Sequence, residues 1–489
     1  VLGIAILLIA AFDYVLIAVS SLARRAKSIG VHKCCGATDN SIFRMFLTET
    51  ALVLFISVLL TMLLIFQFRE FVEEIAGIRL SSLFTWQTLW VPLTVLLVVF
   101  ILAGAIPASI FASIPVTQVF RRYAERKTSW KRPLLFIQFA GMTFILGFLM
   151  VVFCQYHMAM NKDLGYNPER VVMGWKKLAS NRQNAKSFFM NLPMVEEHGV
   201  GQQAIWRSWS GEVFNVGEGR TIKGRFEWIG DDFVPMMKIQ ILHGKNVTSP
   251  KEALVNEEFV RRAGWTDEPI GKQLSIWGKE VTIVGVMKNF SVQSVYHPQY
   301  PVLLLGSGSD SNPGLHYVRL KEPFDENLKK LNALMAETFP TEDVVFYSLT
   351  QKLDEQYTDI TRFRNAVLLA SISIFFIALM GLLGYVGDEI RFCRKEIAIR
   401  KVNGADTCGI LKLFSANVLW TALPAVLIGA GLAYWIGMKW LEQFSESVNL
   451  SIWLFAGVIA FVLVVILVCV ILKAWEVANE NPVNSIANE

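Results

Sequence analysis

The chain is poor in cysteine and in charge. Only 6 of its 489 residues are Cys, and none lies between Gln155 and Asn365. That long stretch must therefore be held by its own core and not by disulfides. No Cys/His spacing of the zinc-binding kind occurs. Charged residues make up 18% of the chain, against about 25% in soluble domains. This scarcity excludes intrinsic disorder and an extended nucleic-acid-binding surface, both of which need far more charge. HExxH, the GxSxG elbow and the GxxxxGK[ST] phosphate loop are all missing. Gly271-Lys272 lacks both the glycine spacing and the Ser/Thr of a phosphate loop. Asp231-Asp232 and Glu257-Glu258 are adjacent acids of the kind expected to be solvated. His157, His198, His243, His297 and His316 are scattered, as surface or core polar residues are. No catalytic residue, metal site or cofactor is implied.

What the chain has instead is apolar length. Hydrophobic residues reach 53% and the mean hydropathy is +0.43. A membrane helix needs about 20 apolar residues to cross roughly 30 Å of hydrocarbon. Seven runs qualify, at residues 1–19, 47–68, 89–110, 134–153, 366–386, 418–436 and 452–472. The first contains Asp13, an acid that is costly at mid-membrane and is expected to pack against other helices or to meet water. It begins at Val1 with no initiating Met and no basic segment, unlike a signal peptide.

Cytoplasmic loops collect Lys and Arg. Arg24, Arg25, Lys27, Lys33 and Arg44 follow the first run; Arg121, Arg122, Arg126, Lys127, Lys131 and Arg132 follow the third; Arg391, Arg394, Lys395, Arg400, Lys401 and Lys412 follow the fifth. These segments are assigned to the cytoplasm. The intervening loops, which carry Glu70, Glu73 and Glu74 or Glu442 and Glu446, are assigned outside, as is the long segment from Gln155 to Asn365. Within it the pattern changes to a mixed α/β domain with room for two lobes. Strands are expected at 170–174, 221–228, 237–242, 280–286, 302–305, 316–320 and 343–348, and helices at 183–191, 257–263 and 326–339. Residues 306–313, Gly-Ser-Gly-Ser-Asp-Ser-Asn-Pro, are turn-forming.

The membrane part repeats itself. Ala26-Lys27-Ser28-Ile29-Gly30-Val31-His32-Lys33-Cys34-Cys35-Gly36-Ala37 aligns with Arg394-Lys395-Glu396-Ile397-Ala398-Ile399-Arg400-Lys401-Val402-Asn403-Gly404-Ala405 at an offset of 368 residues. Pro115-Val116 then matches Pro482-Val483, with two apolar runs between the landmarks in each copy. A first copy as long as the second would begin roughly 235 residues before Val1. The organisation expected is residues 1–132 as the last three membrane helices of repeat 1, 133–155 as the first helix of repeat 2, 156–365 as the external domain, and 366–489 as the last three helices of repeat 2. In each copy a helix enters the cytoplasm and stops at a glycine placed for a left-handed residue, Gly36 or Gly404. In the second, Asp406 or Thr407 is positioned to cap the next helix.

Lys395-Glu396-Ile397-Ala398-Ile399-Arg400-Lys401 with Gly404-Ala405, and the closing Asn481-Pro482-Val483, resemble the signature of MacB/FtsX-like ABC transporter permeases. Ala253 to Phe259, Pro269-Ile270-Gly271-Lys272 and Ile283 to Val286 resemble that family's extracytoplasmic domain. The resemblance implies a multi-pass bacterial inner-membrane protein, not itself an enzyme, that pairs with a separate ATPase. The ATPase would dock at Lys395, Glu396, Arg400, Lys401 and Gly404, and at Lys27, His32, Lys33 and Gly36 of the first copy. ATP-driven motion would pass through the helices to the external domain, for export or, alternatively, to signal to an extracytoplasmic partner. The first copy has Ser28 for the acid and His32 for the arginine. It thus lacks the Glu396–Arg400 helical pair, and its charge depends on a residue that titrates near roughly 6.5. The second turn is expected to contribute more to coupling.

Overall fold

The computed structural model describes residues 2–20, 22–76, 79–82, 85–112, 131–175, 182–205, 207, 209–217, 219–292, 295–307, 314–340, 344–402 and 406–478. In chain order the helices are α1 (Leu2–Ser20), α2 (Leu22–Cys34), α3 (Asp39–Gln67), α4 (Arg69–Ala76), α5 (Trp90–Phe100), α6 (Ile106–Ala112), α7 (Lys131–Met160), α8 (Arg182–Met190), α9 (Phe233–Met236), α10 (Glu257–Ala263), α11 (Phe324–Thr338), α12 (Leu349–Glu355), α13 (Thr358–Val402), α14 (Thr407–Leu441) and α15 (Ile452–Ala478). The strands are β1 (Val171–Trp175), β2 (Val195–Gly201), β3 (Gly211–Gly217), β4 (Arg220–Ile229), β5 (Ile241–Gly244), β6 (Glu252–Asn256), β7 (Gln273–Ile276), β8 (Lys279–Met287), β9 (Val302–Gly306), β10 (Leu315–Leu320) and β11 (Tyr347–Ser348). Two compact units result. One holds Val1–Gln155, Ile360–Leu441 and Asn449–Glu489; the other holds Tyr156–Asp359 and Glu442–Val448.

Among the described residues six helices are long and apolar enough to cross a membrane: Asp39–Gln67, Trp90–Ser109, Arg132–Met160, Thr358–Ile390, Gly409–Leu441 and Ile452–Trp475. The seventh expected span forms the 19-residue α1. Helices are the natural form for such runs because in hydrocarbon every backbone group must be bonded within its own segment. Asp13 of α1 is buried and accepts a hydrogen bond from Gln138 Nε2 of α7 at 2.5 Å. The acid is thus placed between helices. The absent side chain of Gly381 on α13 leaves room for its carboxylate.

Helix α14 packs closely on α7. Ala422 and Ala425 are buried. A Cβ added at Gly429 would collide with the Ala140 carbonyl, and one at Gly437 would lie 3.1 Å from Val151 Cγ2. Small residues every three or four positions let two membrane helices approach closely. The third span of the first copy differs from that of the second. A π-helical turn at Ile101–Ala105 joins α5 to α6, whereas α15 is α-helical throughout. That turn brings Gly104 so close to α3 that an added Cβ would sit 3.3 Å from Leu47 and Thr50.

The second unit is built on one eleven-stranded sheet in the order β11-β1-β10-β2-β4-β9-β6-β8-β5, with β3 paired to β4 and β7 to β8. Strand β9 lies inside it, parallel to β4 and antiparallel to β6, and all five of its residues are buried. Alternation along β9 sends Val302 and Leu304 into one core and Leu303 and Leu305 into another, so each sheet face carries its own core. A third cluster packs Phe189 of α8 and Leu331 of α11 against Val172 and Val318.

Several expectations need correction. The two lobes are one continuous sheet. The strand expected at 237–242 begins only at Ile241, because the chain turns after α9 ends at Met236 and Lys238 takes φ +54. Strand β11 is two residues long, although 343–348 was expected. Strands β2, β3, β6 and β7 were not anticipated; Glu196-Glu197 and the flanking glycines of β3 mask their alternation. The segment Glu442–Val448, expected to be a simple loop, packs within the second unit. Ser445 and Glu446 donate backbone N–H groups to Val295 O, Phe444 stacks on Tyr296, and Glu446 pairs with Lys162 at 2.8 Å.

Candidate functional site

In the basic corner of the first copy the turn from Ser28 to Ser41 lies wholly within the described residues. Helix α2 ends in two hydrogen bonds that wrap its last carbonyls, Ala37 N to His32 O and Gly36 N to Lys33 O, each 3.0 Å. Such a wrap needs a left-handed residue at the penultimate position, and Gly36 supplies φ +96. Thr38 then starts α3, its hydroxyl accepting from Ser41 N. Beneath the turn Ile29, Ile42 and Phe46 form a small core with Ala108.

The second corner repeats this at the same offset. Ile397, Ile410 and Phe414 are buried together, 368 residues beyond Ile29, Ile42 and Phe46. Asp406, the counterpart of Thr38, accepts from Gly409 N at 2.9 Å, so of the two expected caps the aspartate is the one used. Helix α13 runs through Lys395, Glu396, Arg400 and Lys401 without a break. Arg400 is exposed; the side chains of Lys395, Glu396 and Lys401 and all of Gly404 lie outside the described residues. The same holds for the Lys27 side chain, for Pro115-Val116, for Asn481-Pro482-Val483 and for the Arg121 to Lys127 cluster.

Within the first corner the expected docking residues separate. His32 is exposed, as is Gly36. Lys33 is not free to meet a partner: its side chain is 8% exposed, donates to Ala112 O at 2.7 Å and pairs with Asp39 at 2.6 Å. This lysine ties the turn to the end of α6. Spacing alone does not reveal that role, because the acceptor is a backbone carbonyl 79 residues away.

Three of the four acids singled out in the external domain make contacts within it. Glu258, expected to be solvated, is buried and bonds Arg261 at 2.7 Å and Arg262 at 2.6 Å, and the Arg261 hydrogen bond holds its carboxyl below the usual range. Glu257 accepts from Asn289 N, and Asp232 lies 3.5 Å from Lys186. His198 and His316 are buried against Phe189, with His198 Nε2 and His316 Nδ1 hydrogen-bonded at 3.2 Å. No cluster of potential metal ligands occurs among the described residues.

The sequence pattern of the family described as FtsX-like permease C-terminal matches residues 1–116 and again residues 367–482. Both halves of the membrane part belong to the FtsX-like permease family. The two matched segments each contain one of the corners. The permease is accordingly a multi-pass inner-membrane protein with its large domain outside, of an ABC transporter class that implies an ATPase partner. No curated protein matches the sequence. Among solved structures, the chain is similar to the periplasmic region of MacB from Actinobacillus actinomycetemcomitans, at 12% identity over 40% of this chain and 96% of that one, with a TM-score of 0.31. It is also similar to a domain of a putative permease protein from Porphyromonas gingivalis, at 16% identity over 37% of this chain and 89% of that one, with a TM-score of 0.29. The extracellular domain of the noncanonic ABC-type transporter YknZ from Gram-positive bacteria matches at 8% identity over 36% of this chain and 98% of that one, with a TM-score of 0.28.

Proposed function

We propose that the chain is a permease subunit that carries ATP-driven motion from a separate ATPase, docked at the two basic corners, to the external domain, and that this motion serves export. The observation that carries the proposal is α13. It starts where the external unit ends and continues for 45 residues to the second corner. At about 1.5 Å per residue it is roughly 68 Å long, more than twice the hydrocarbon thickness. A helix without a break transmits displacement along its axis. The corner core of Ile397, Ile410 and Phe414 fixes its end to α14, so a push on the corner moves both helices.

Reconstitution tests this. The purified chain alone turns over no ATP, and adding the ATPase yields activity that depends on the permease. Arg400→Glu, which reverses an exposed charge at the corner, lowers that dependent activity several-fold while leaving the chain folded. ATP turnover by the chain alone, or full coupling in Arg400→Glu, contradicts the proposal.

A further inference from the structure

The core formed by Leu303, Leu305 and their neighbours is open at one end. There the sheet and the β7–β8 hairpin diverge around a cavity of about 1050 Å³. Its floor is apolar, with Ile276, Val281 and Leu305 all buried, and Trp228 and Trp277 form walls. Trp277 is 58% exposed and takes φ +48 at the hairpin tip, a conformation that bulky residues avoid at a cost of about 1–3 kcal/mol. The strained indole is held in place. Its Nε1 donates to Glu212 Oε2 at 2.8 Å and its ring meets Phe226 edge-on at 4.8 Å. A turn that needed only to close would have Asn or Gly at this position.

Lys251 and Lys279 also line the cavity, against the single carboxylate of Glu280. An apolar floor continuous with the domain core, two indole walls and two lysines against one lining carboxylate match a molecule with an apolar tail and a negative head. We infer that this open core end is a binding site for an anionic amphiphile, with the tail between Trp228 and Trp277 and the head at Lys251 and Lys279. The site would select external cargo by charge. It does not depend on the coupled-motion proposal, because binding requires no ATPase.

The test uses the full chain in nanodiscs of zwitterionic phospholipid. The chain is irradiated with a diazirine-bearing hexadecyl sulfate and, separately, with the corresponding uncharged alcohol. Crosslinked peptides covering 273–282 are quantified against those of α14 and α15, which any membrane-soluble probe labels. The sulfate should label 273–282, and the alcohol about fivefold less. Lys251→Glu/Lys279→Glu should lower sulfate labelling by a similar factor with the membrane peptides unchanged. Trp277→Asn, which suits the left-handed turn, should also lower it while the thermal midpoint of the domain holds. Labelling confined to α14 and α15, equal labelling by sulfate and alcohol, or labelling of 273–282 unaffected by these substitutions would overturn the inference.

Discussion

In the first copy of the repeat, Ile29, Ile42 and Phe46 close a corner behind Gly36, with Thr38 capping the outgoing helix; in the second, Ile397, Ile410 and Phe414 do so, with Asp406 as the cap. The helices leaving these corners have diverged. On α14 Ala422 and Ala425 are buried, and Gly429, Ala433 and Gly437 meet Ala140, Gly147 and Val151 of α7. At the same register the first copy has Leu54, Ser57, Thr61 and Ile65 on α3, and Arg69 at the start of α4. Only Ile42, Phe46 and Thr50 of α3 are buried, all of them near the corner. One sequence plan thus gives two helices with different duties: both form a corner, and only α14 also packs tightly along its length. The corner is the shared part, which is where a shared partner would act.

The strongest way to break this comparison is to give α14 the bulk found on α3. Gly429→Leu forces a side chain into the Ala140 carbonyl and should cost about 3 kcal/mol or more, since backbone cannot yield as a side chain can. Thr61→Leu at the matching exposed position should stay within about 0.5 kcal/mol. Thermal midpoints of the two variants in one detergent check this; equal losses would mean that α3 is packed as closely as α14.

A smaller effect separates the external unit, which has no duplicate in this chain, from the two corners. Burial pushes the Glu227 carboxyl up to about 8, partly offset by backbone N–H bonds from Gln203 and Gln202. An acid held above its usual value of 4.5 binds its proton more tightly when folded. Its contribution is therefore complete below pH 4.5, declines as pH rises, and is gone above about 8. The midpoint of the external unit should fall between pH 5 and about 8.5. Glu227→Gln should flatten this dependence, and an unchanged slope would place the titration elsewhere. The smallest effect concerns the caps. Thr38→Ala and Asp406→Ala should each cost about 1 kcal/mol. A gap much larger than their experimental error would show that the corners are not equivalent in stability.

Much of this was legible in the sequence, and for a physical reason. Membrane spans, basic turns and the 368-residue repeat depend on local composition and on register. Helix α10 was legible to the residue because Asn256 caps it and Gly264 ends it with φ +67. Other features are set by long-range pairing. Strand β7 has only four residues and lies beside β8, so its alternation is too short to detect. The attachment of Glu442–Val448 to the external unit depends on Val295 and Tyr296, some 150 residues earlier. Lys33 looked like a docking charge because its acceptor on α6 carries no side-chain signal. The small residues of α14 were visible at helical spacing, but only the position of α7 gives them a meaning.

The central claim is that both corners pass ATP-driven motion to the helices and that the second dominates. It is tested most directly by permease-dependent ATP hydrolysis in a reconstituted complex carrying Gly36→Val or Gly404→Val. At Gly36 no atom lies within 4 Å of an added Cβ, so valine there perturbs only the backbone, through its φ of +96. The account predicts that both variants insert and fold, that each loses coupled activity, and that Gly404→Val loses several-fold more. Equal losses would make the two corners functionally symmetric. Full activity in both folded variants would contradict the account.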